Sequence, residues 1–145
     1  VKRLRDDESG SILPLTIFYG FLALVLILLV VAATSLYLER KRLFSLADSA
    51  ALAGAEAFTL EGVAVTAGGA RPSLQTPDVA SAVDSYLDAA PTDEFTGLEV
   101  VEAASHDGRS ATVTLSSSWR PPLVTLLVPE GLRIEVTARA RSVFG

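Results

Sequence analysis

The sequence predicts an α+β fold: a long N-terminal helix, transmembrane and extending beyond the membrane, followed by a small three-stranded antiparallel sheet with one covering helix. Three observations predict it. No charged side chain occurs between Glu8 and Glu39. No Gly or Pro interrupts the chain from Ser35 until Gly54. The last third alternates apolar and polar residues with the period of a strand, over Ser110 to Arg120 and again over Leu132 to Val143.

In chain order, residues 1–10 are expected to be a cytoplasmic tail and residues 11–38 the transmembrane helix. A span takes about 20 apolar residues, and Ile12 to Leu38 exceeds that with Pro14, Thr16, Tyr19, Gly20, Thr34, Ser35 and Tyr37 as interruptions. Arg3, Arg5 and the small residues Val31-Ala32-Ala33 invite comparison with a secretory signal. Such signals carry only about 7–15 apolar residues, so the run is too long. Ser11 suits the N-cap, and Pro14 falls in the first turn, where a missing N–H costs least.

Residues 39–60 read as an extension of the same helix. Apolar side chains recur at helical spacing through Leu36, Leu43, Phe44, Ala47, Ala51, Ala55 and Phe58. One helix of some 45 residues, about 65 Å long, is implied. Small residues form two rows, Ala47, Ala51 and Ala55 beside Ala50 and Gly54. Such rows let a helix approach another helix closely, or they lie against the chain's own sheet. The first alternative makes Ala47, Ala50, Ala51, Gly54 and Ala55 an interface with other subunits, and a Gly54→Leu change would then weaken assembly while leaving the domain folded.

Residues 61–76 carry Gly62, Gly68, Gly69 and Pro72 and read as a linker or loop. Residues 77–145 form the small α+β domain. Thr76 is the expected N-cap of its helix, with Pro77 first and Asp78 at the positive end of the dipole. Val79, Ala80, Val83, Tyr86, Leu87 and Ala90 share one face before Pro91 ends it. Leu98 to Ser105 is β-prone and leads through His106-Asp107-Gly108-Arg109, an Asp-Gly turn, into the alternating strand. Ala111, Val113, Leu115 and Trp119 point one way, as do Leu132, Ile134, Val136, Ala138 and Ala140; the intervening polar residues point the other. Between these strands Pro121 to Pro129 is apolar and fenced by prolines, which bars a central strand. It is either a short helix or loop closing the core, or a partner patch of Leu123, Val124, Leu126, Leu127 and Val128.

The run from Arg42 through Ala47-Asp48-Ser49-Ala50-Ala51-Leu52-Ala53-Gly54-Ala55, behind a span opened by Glu8-Ser9-Gly10-Ser11, resembles the N-terminal segment of TadE/TadG-like proteins of Tad (Flp, tight adherence) pilus systems. The resemblance covers Glu8 to Phe58. It implies a single-pass protein of the cell membrane, a minor pilin or assembly factor, loosely pilin-like, with its C-terminal domain extracytoplasmic. Lys2, Arg3 and Arg5 before the span balance Arg40, Lys41 and Arg42 after it, so charge alone does not set that orientation. In pilin-like precursors a peptidase cuts after Gly and the mature chain has Glu at its fifth position. Here Gly10 and Ser11 mark the corresponding processing site, but the fifth residue is Leu15. No carboxylate is present there to neutralise a neighbour's new amino terminus in a dry filament core, which favours an uncleaved accessory subunit.

Half of the 145 residues are hydrophobic, the mean hydropathy is +0.42 and the net charge is −5. Lys2 and Lys41 are the only lysines, which argues against nucleic acid as a partner. With no cysteine and one histidine, neither thiol chemistry nor a zinc site of recognised spacing can be assembled. His106 reads as a solvated turn residue, Asp88, Asp93 and Glu94 as a helix end, and Arg133, Arg139 and Arg141 as a sheet face partly offset by Glu135. No enzyme, cofactor or small-molecule substrate is expected. The expected partners are the lipid bilayer and other pilus-system or membrane subunits. The alternative is a membrane-tethered extracytoplasmic binding module unrelated to filaments, for which the helix is only an anchor.

Overall fold

The computed structural model describes residues 9–58, 63–66 and 69–141. The expected tail over 1–10 lies outside these residues except for its last two positions, and the side chain of Ser11, the expected N-cap, lies outside them as well. The described residues divide into two compact units at Leu36 and Tyr37.

The described residues of the first unit are all helical. Helix α1 (Ser9–Ala55) is 47 residues long and carries Pro14 in its second turn. It ends at Ala55 rather than near residue 60: the backbone turns at Glu56, whose N–H reaches the carbonyls of Leu52 and Ala53, and Ala57 bonds Gly54. Gly54 lowers the helix propensity of this last turn, although Ala55, Glu56 and Ala57 are strong helix formers.

The second unit begins with Tyr37 on α1. Where a linker was expected, β1 (Val63–Thr66) and β2 (Gly69–Pro72) pair antiparallel, Val63 opposite Pro72 and Thr66 opposite Gly69. Helix α2 (Thr76–Ala89) follows. Its N-cap is Gln75, with no side-chain cap. The Thr76 hydroxyl instead accepts the Ser105 N–H and donates to the Ser105 carbonyl, both at 3.3 Å, tying the start of α2 to the end of the next strand. Val79 and Val83 are fully buried.

Strands β3 (Glu99–Ala104), β4 (Ser110–Trp119) and β5 (Leu132–Arg141) form an antiparallel sheet in that order, as the alternation predicted. A bulge between Val100 and Glu102 shifts the β3 register and leaves Val101 exposed. The pairing of β4 with β5 is unbroken from Ser110 opposite Arg141 to Trp119 opposite Leu132. Ala111, Val113, Leu115, Ile134, Val136 and Ala138 are buried on one face. On the other, Thr114 and Thr137 share a 2.9 Å hydroxyl contact and Arg133 donates to Ser116 Oγ at 2.6 Å. Helix α3 (Pro122–Thr125) is a single turn between β4 and β5.

Candidate functional site

Among the described residues, the apolar half of α1 has no partner in its own unit. Ile12, Leu15, Phe18, Leu22 and Leu29 are each more than half exposed, and a Cβ added at Gly20 would meet nothing within 4 Å. Its two threonine hydroxyls are satisfied internally: Thr16 and Thr34 donate to the carbonyls of Ile12 and Val30 at 2.9 Å. A helix apolar on every side needs an apolar surround, and this one is long and apolar enough to cross a membrane. Gly10 and Ser11 lie in its first turn.

The small-residue face is occupied. Leu43, Ala47, Ala50, Ala51, Gly54 and Ala55 recur at the spacing of one helical stripe, and all are buried inside the second unit. A Cβ on Gly54 would come to 3.0 Å from Val79 Cγ1, 3.2 Å from Ala111 Cβ and 3.3 Å from Val83 Cγ2. Of the two alternatives open for Ala47, Ala50, Ala51, Gly54 and Ala55, contact with other subunits or with the chain's own domain, all five are buried by the chain itself, and at Gly54 the close approach is made to α2 and β4. α2 therefore shares the cover of the sheet with the last turns of α1. The solvent side of the same turns carries Tyr37, Lys41, Phe44, Asp48 and Leu52, all exposed and spaced three or four apart.

Farther up α1, Arg42 Nη1 lies 3.6 Å from Glu94 Oε2. Both side chains are more than half exposed, so the pair contributes little energy; its value here is that it fixes which end of the domain Arg42 occupies. Arg42, Ser45 and Leu46 line a shallow cleft with Tyr86, Glu94 and Phe95.

The Pro121 to Pro129 segment does not close the core. None of α3 is buried, Leu126 is 80% and Leu127 87% exposed, and Leu123 and Val128 are partly exposed, with Val124 less so. The loop is nonetheless built. Val124 and Thr125 donate to the Pro121 carbonyl, Val128 to the Val124 carbonyl at 2.7 Å, and Gly131 to the Val128 carbonyl. Gly131 has φ of 76°, and a Cβ there would lie 2.5 Å from the Trp119 carbonyl oxygen, so only glycine fits. Arg120 Nε donates to the Glu130 carbonyl across the loop base.

At the opposite end, Asp107 organises the turn between β3 and β4. Its Oδ1 accepts the N–H groups of Arg109 at 2.9 Å and Ser110 at 2.7 Å, and Oδ2 accepts from Arg139 Nη2 at 2.7 Å. The two backbone N–H groups, then the Ser110 hydroxyl and Arg139, hold this carboxyl well below the usual carboxylate range. Gly108 takes φ of 66°, as the Asp-Gly turn requires. Arg133 pairs with Glu99, so two of the three sheet-face arginines are engaged by the chain's own acids. His106 Nε2 lies 2.6 Å from Glu102 Oε1, exposed to solvent. Among the described residues no three His, Asp or Glu side chains are grouped to hold a metal ion.

The chain thus presents an apolar helical unit and a small domain whose first element, from Tyr37, is the last part of the same helix. Residues 10–57 match the Tad family model, putative Flp pilus-assembly TadE/G-like. The match spans about a third of the chain and coincides with α1 almost end to end. Neither the curated proteins nor the solved structures give a match. The Tad-like segment is therefore the apolar span together with the stripe from Leu43 to Ala55 that forms part of the domain core, and the α+β remainder stands on its own geometry.

Proposed function

We propose that this protein is a bitopic membrane subunit of a Tad/Flp-type pilus or secretion apparatus, serving as a minor pilin or assembly factor with its sheet domain outside the membrane. The observation that carries the reading is the coincidence of the Tad-like segment with a helix whose first half is apolar on all sides. Because Ala47, Ala50, Ala51, Gly54 and Ala55 are occupied by the chain's own core, contact with other subunits falls to the apolar span and to the outer stripe of Phe44 and Leu52. Leu15 in place of an acidic residue supports an uncleaved accessory role.

The test replaces Ile12 to Leu36 with an unrelated apolar span in the native host, Trp119 fluorescence serving as the control for a folded domain. An assembly helix loses pilus formation in this swap. Normal piliation would refute the reading and favour the tethered module, whose exposed Leu126 and Leu127 would then be the working surface. Intact mass of the protein from its own membranes tests processing: residues preceding Ser11 are retained in an assembly factor, whereas a chain beginning at Ser11 marks a cleaved subunit.

A further inference from the structure

The second unit has a direction. At one end Gly54 of α1 sits against Ala111 of β4. At the other, the Ser118 N–H donates to the Thr96 carbonyl at 2.7 Å, and two residues earlier Glu94 meets Arg42. β4 therefore runs antiparallel to α1. The lengths agree: Gly54 back to Arg42 is about 18 Å of helix, and Ala111 to Ser118 is about 23 Å of strand. Beyond Ser118 the chain passes through Trp119 into the loop of residues 120–131, so the loop follows the Arg42 end of the second unit, the end at which that unit's stretch of α1 begins with exposed Tyr37 and Leu38.

That loop carries no charge from Pro121 to Pro129. Leu126 and Leu127 are its most exposed large apolar side chains, and the N–H groups of Val124, Thr125, Leu127 and Val128 are bonded within the loop, so these donors need no water if the tip leaves it. Arg120 beside it and Arg40 and Lys41 on α1 are exposed cations at the same end, able to reach lipid phosphates while their stems lie along apolar surface.

We infer that the loop is a second membrane contact: Leu126 and Leu127 insert at the boundary between headgroups and acyl chains of the bilayer that α1 crosses, fixing the domain against the surface. The inference rests on the reading of α1 as a span. Chain continuity favours lipid over a soluble protein partner, because the tether holds this end of the domain at the bilayer and raises the local concentration of that surface above any other.

The chain has no cysteine, so single Leu127→Cys, Gln75→Cys and Leu24→Cys variants of the full protein can each carry one environment-sensitive fluorophore. They are reconstituted in vesicles of phosphatidylethanolamine and phosphatidylglycerol doped with lipid spin-labelled near the headgroup or near the chain end. The expected result is a blue-shifted label at position 127 quenched mainly by the shallow spin label, a label at 24 quenched by the deep one, and a label at 75 quenched by neither. A Leu126→Glu, Leu127→Glu double variant labelled at Val128→Cys should lose the quenching that Val128→Cys alone shows. A label at 127 that stays water-like while 24 is quenched overturns the inference and leaves the span standing. Protection at 127 that vanishes on dilution of protein in lipid also overturns it, since the occupant is then a second copy. No quenching at 24 overturns both readings.

Discussion

Replacing Gly54 by leucine tests the packing of α1 most directly. The first added carbon already lies at 3.0–3.3 Å from Val79, Ala111 and Val83, inside the optimal carbon separation of about 3.5–4.0 Å. All three neighbours are fully buried, so the remaining three carbons have no void to fill. Overpacking of this kind costs up to about 3 kcal/mol. Leucine returns about 1 kcal/mol of helix propensity over glycine, leaving a net loss of about 2 kcal/mol. For a unit of this size the midpoint should fall by about 8–16 °C. The chain's one tryptophan, Trp119, is 6% exposed, so its fluorescence in detergent micelles follows unfolding of the domain. Gly54→Ala, with strain and propensity nearly cancelling, should stay within about 0.5 kcal/mol of the parent, as should Asp48→Leu on the outer stripe. A Gly54→Leu protein that melts with the parent would refute the placement of α1 against α2 and β4, and with it the conclusion that this face is closed to other subunits.

Asp107 makes the domain acid-sensitive. Its folded pKa is depressed by N–H donors, so the stability it contributes is present above the ordinary carboxylate value of 3.8 and is lost as the pH falls below that value; Asp107→Ala should flatten the melting profile over that acid range. Ser117 Oγ is buried without a hydrogen-bond partner, and Ser117→Ala should raise stability by about 1 kcal/mol, an effect that a drop in midpoint would contradict. Gly131→Ala places a Cβ 2.5 Å from the Trp119 carbonyl at a positive φ and should cost about 2 kcal/mol or more, seen as an earlier Trp119 transition.

What the sequence made legible was what periodicity encodes. Leu132 to Ala140 and Ala111 to Trp119 could alternate as they do only in strands with one covered face, whereas their register is seen only in the structure. The length of α1 was legible because nothing breaks it before Gly54. The partner of its small-residue face was not, since Ala47, Ala51 and Gly54 suit a neighbouring helix and the chain's own core equally, and only the fold shows all three buried, with Val79 and Ala111 against Gly54. The β1–β2 hairpin was hidden by Gly68, Gly69 and Pro72, which read as loop while still permitting short edge pairing. Thr76 was misassigned as a cap because a distant competitor, the Ser105 backbone, claims its hydroxyl. The prolines around Leu123 to Val128 excluded a strand but carried no information on burial.

The antiparallel course of α1 and β4 has a mechanical consequence. A tensile load entering the domain at Tyr37 acts along the axis of the helix, parallel to the strand it lies on. The contacts of Leu43, Ala47, Ala51 and Gly54 are then loaded in shear and must slip together, whereas a load applied across the strands would part them one at a time. A domain built in this way resists being pulled apart through the helix that enters it.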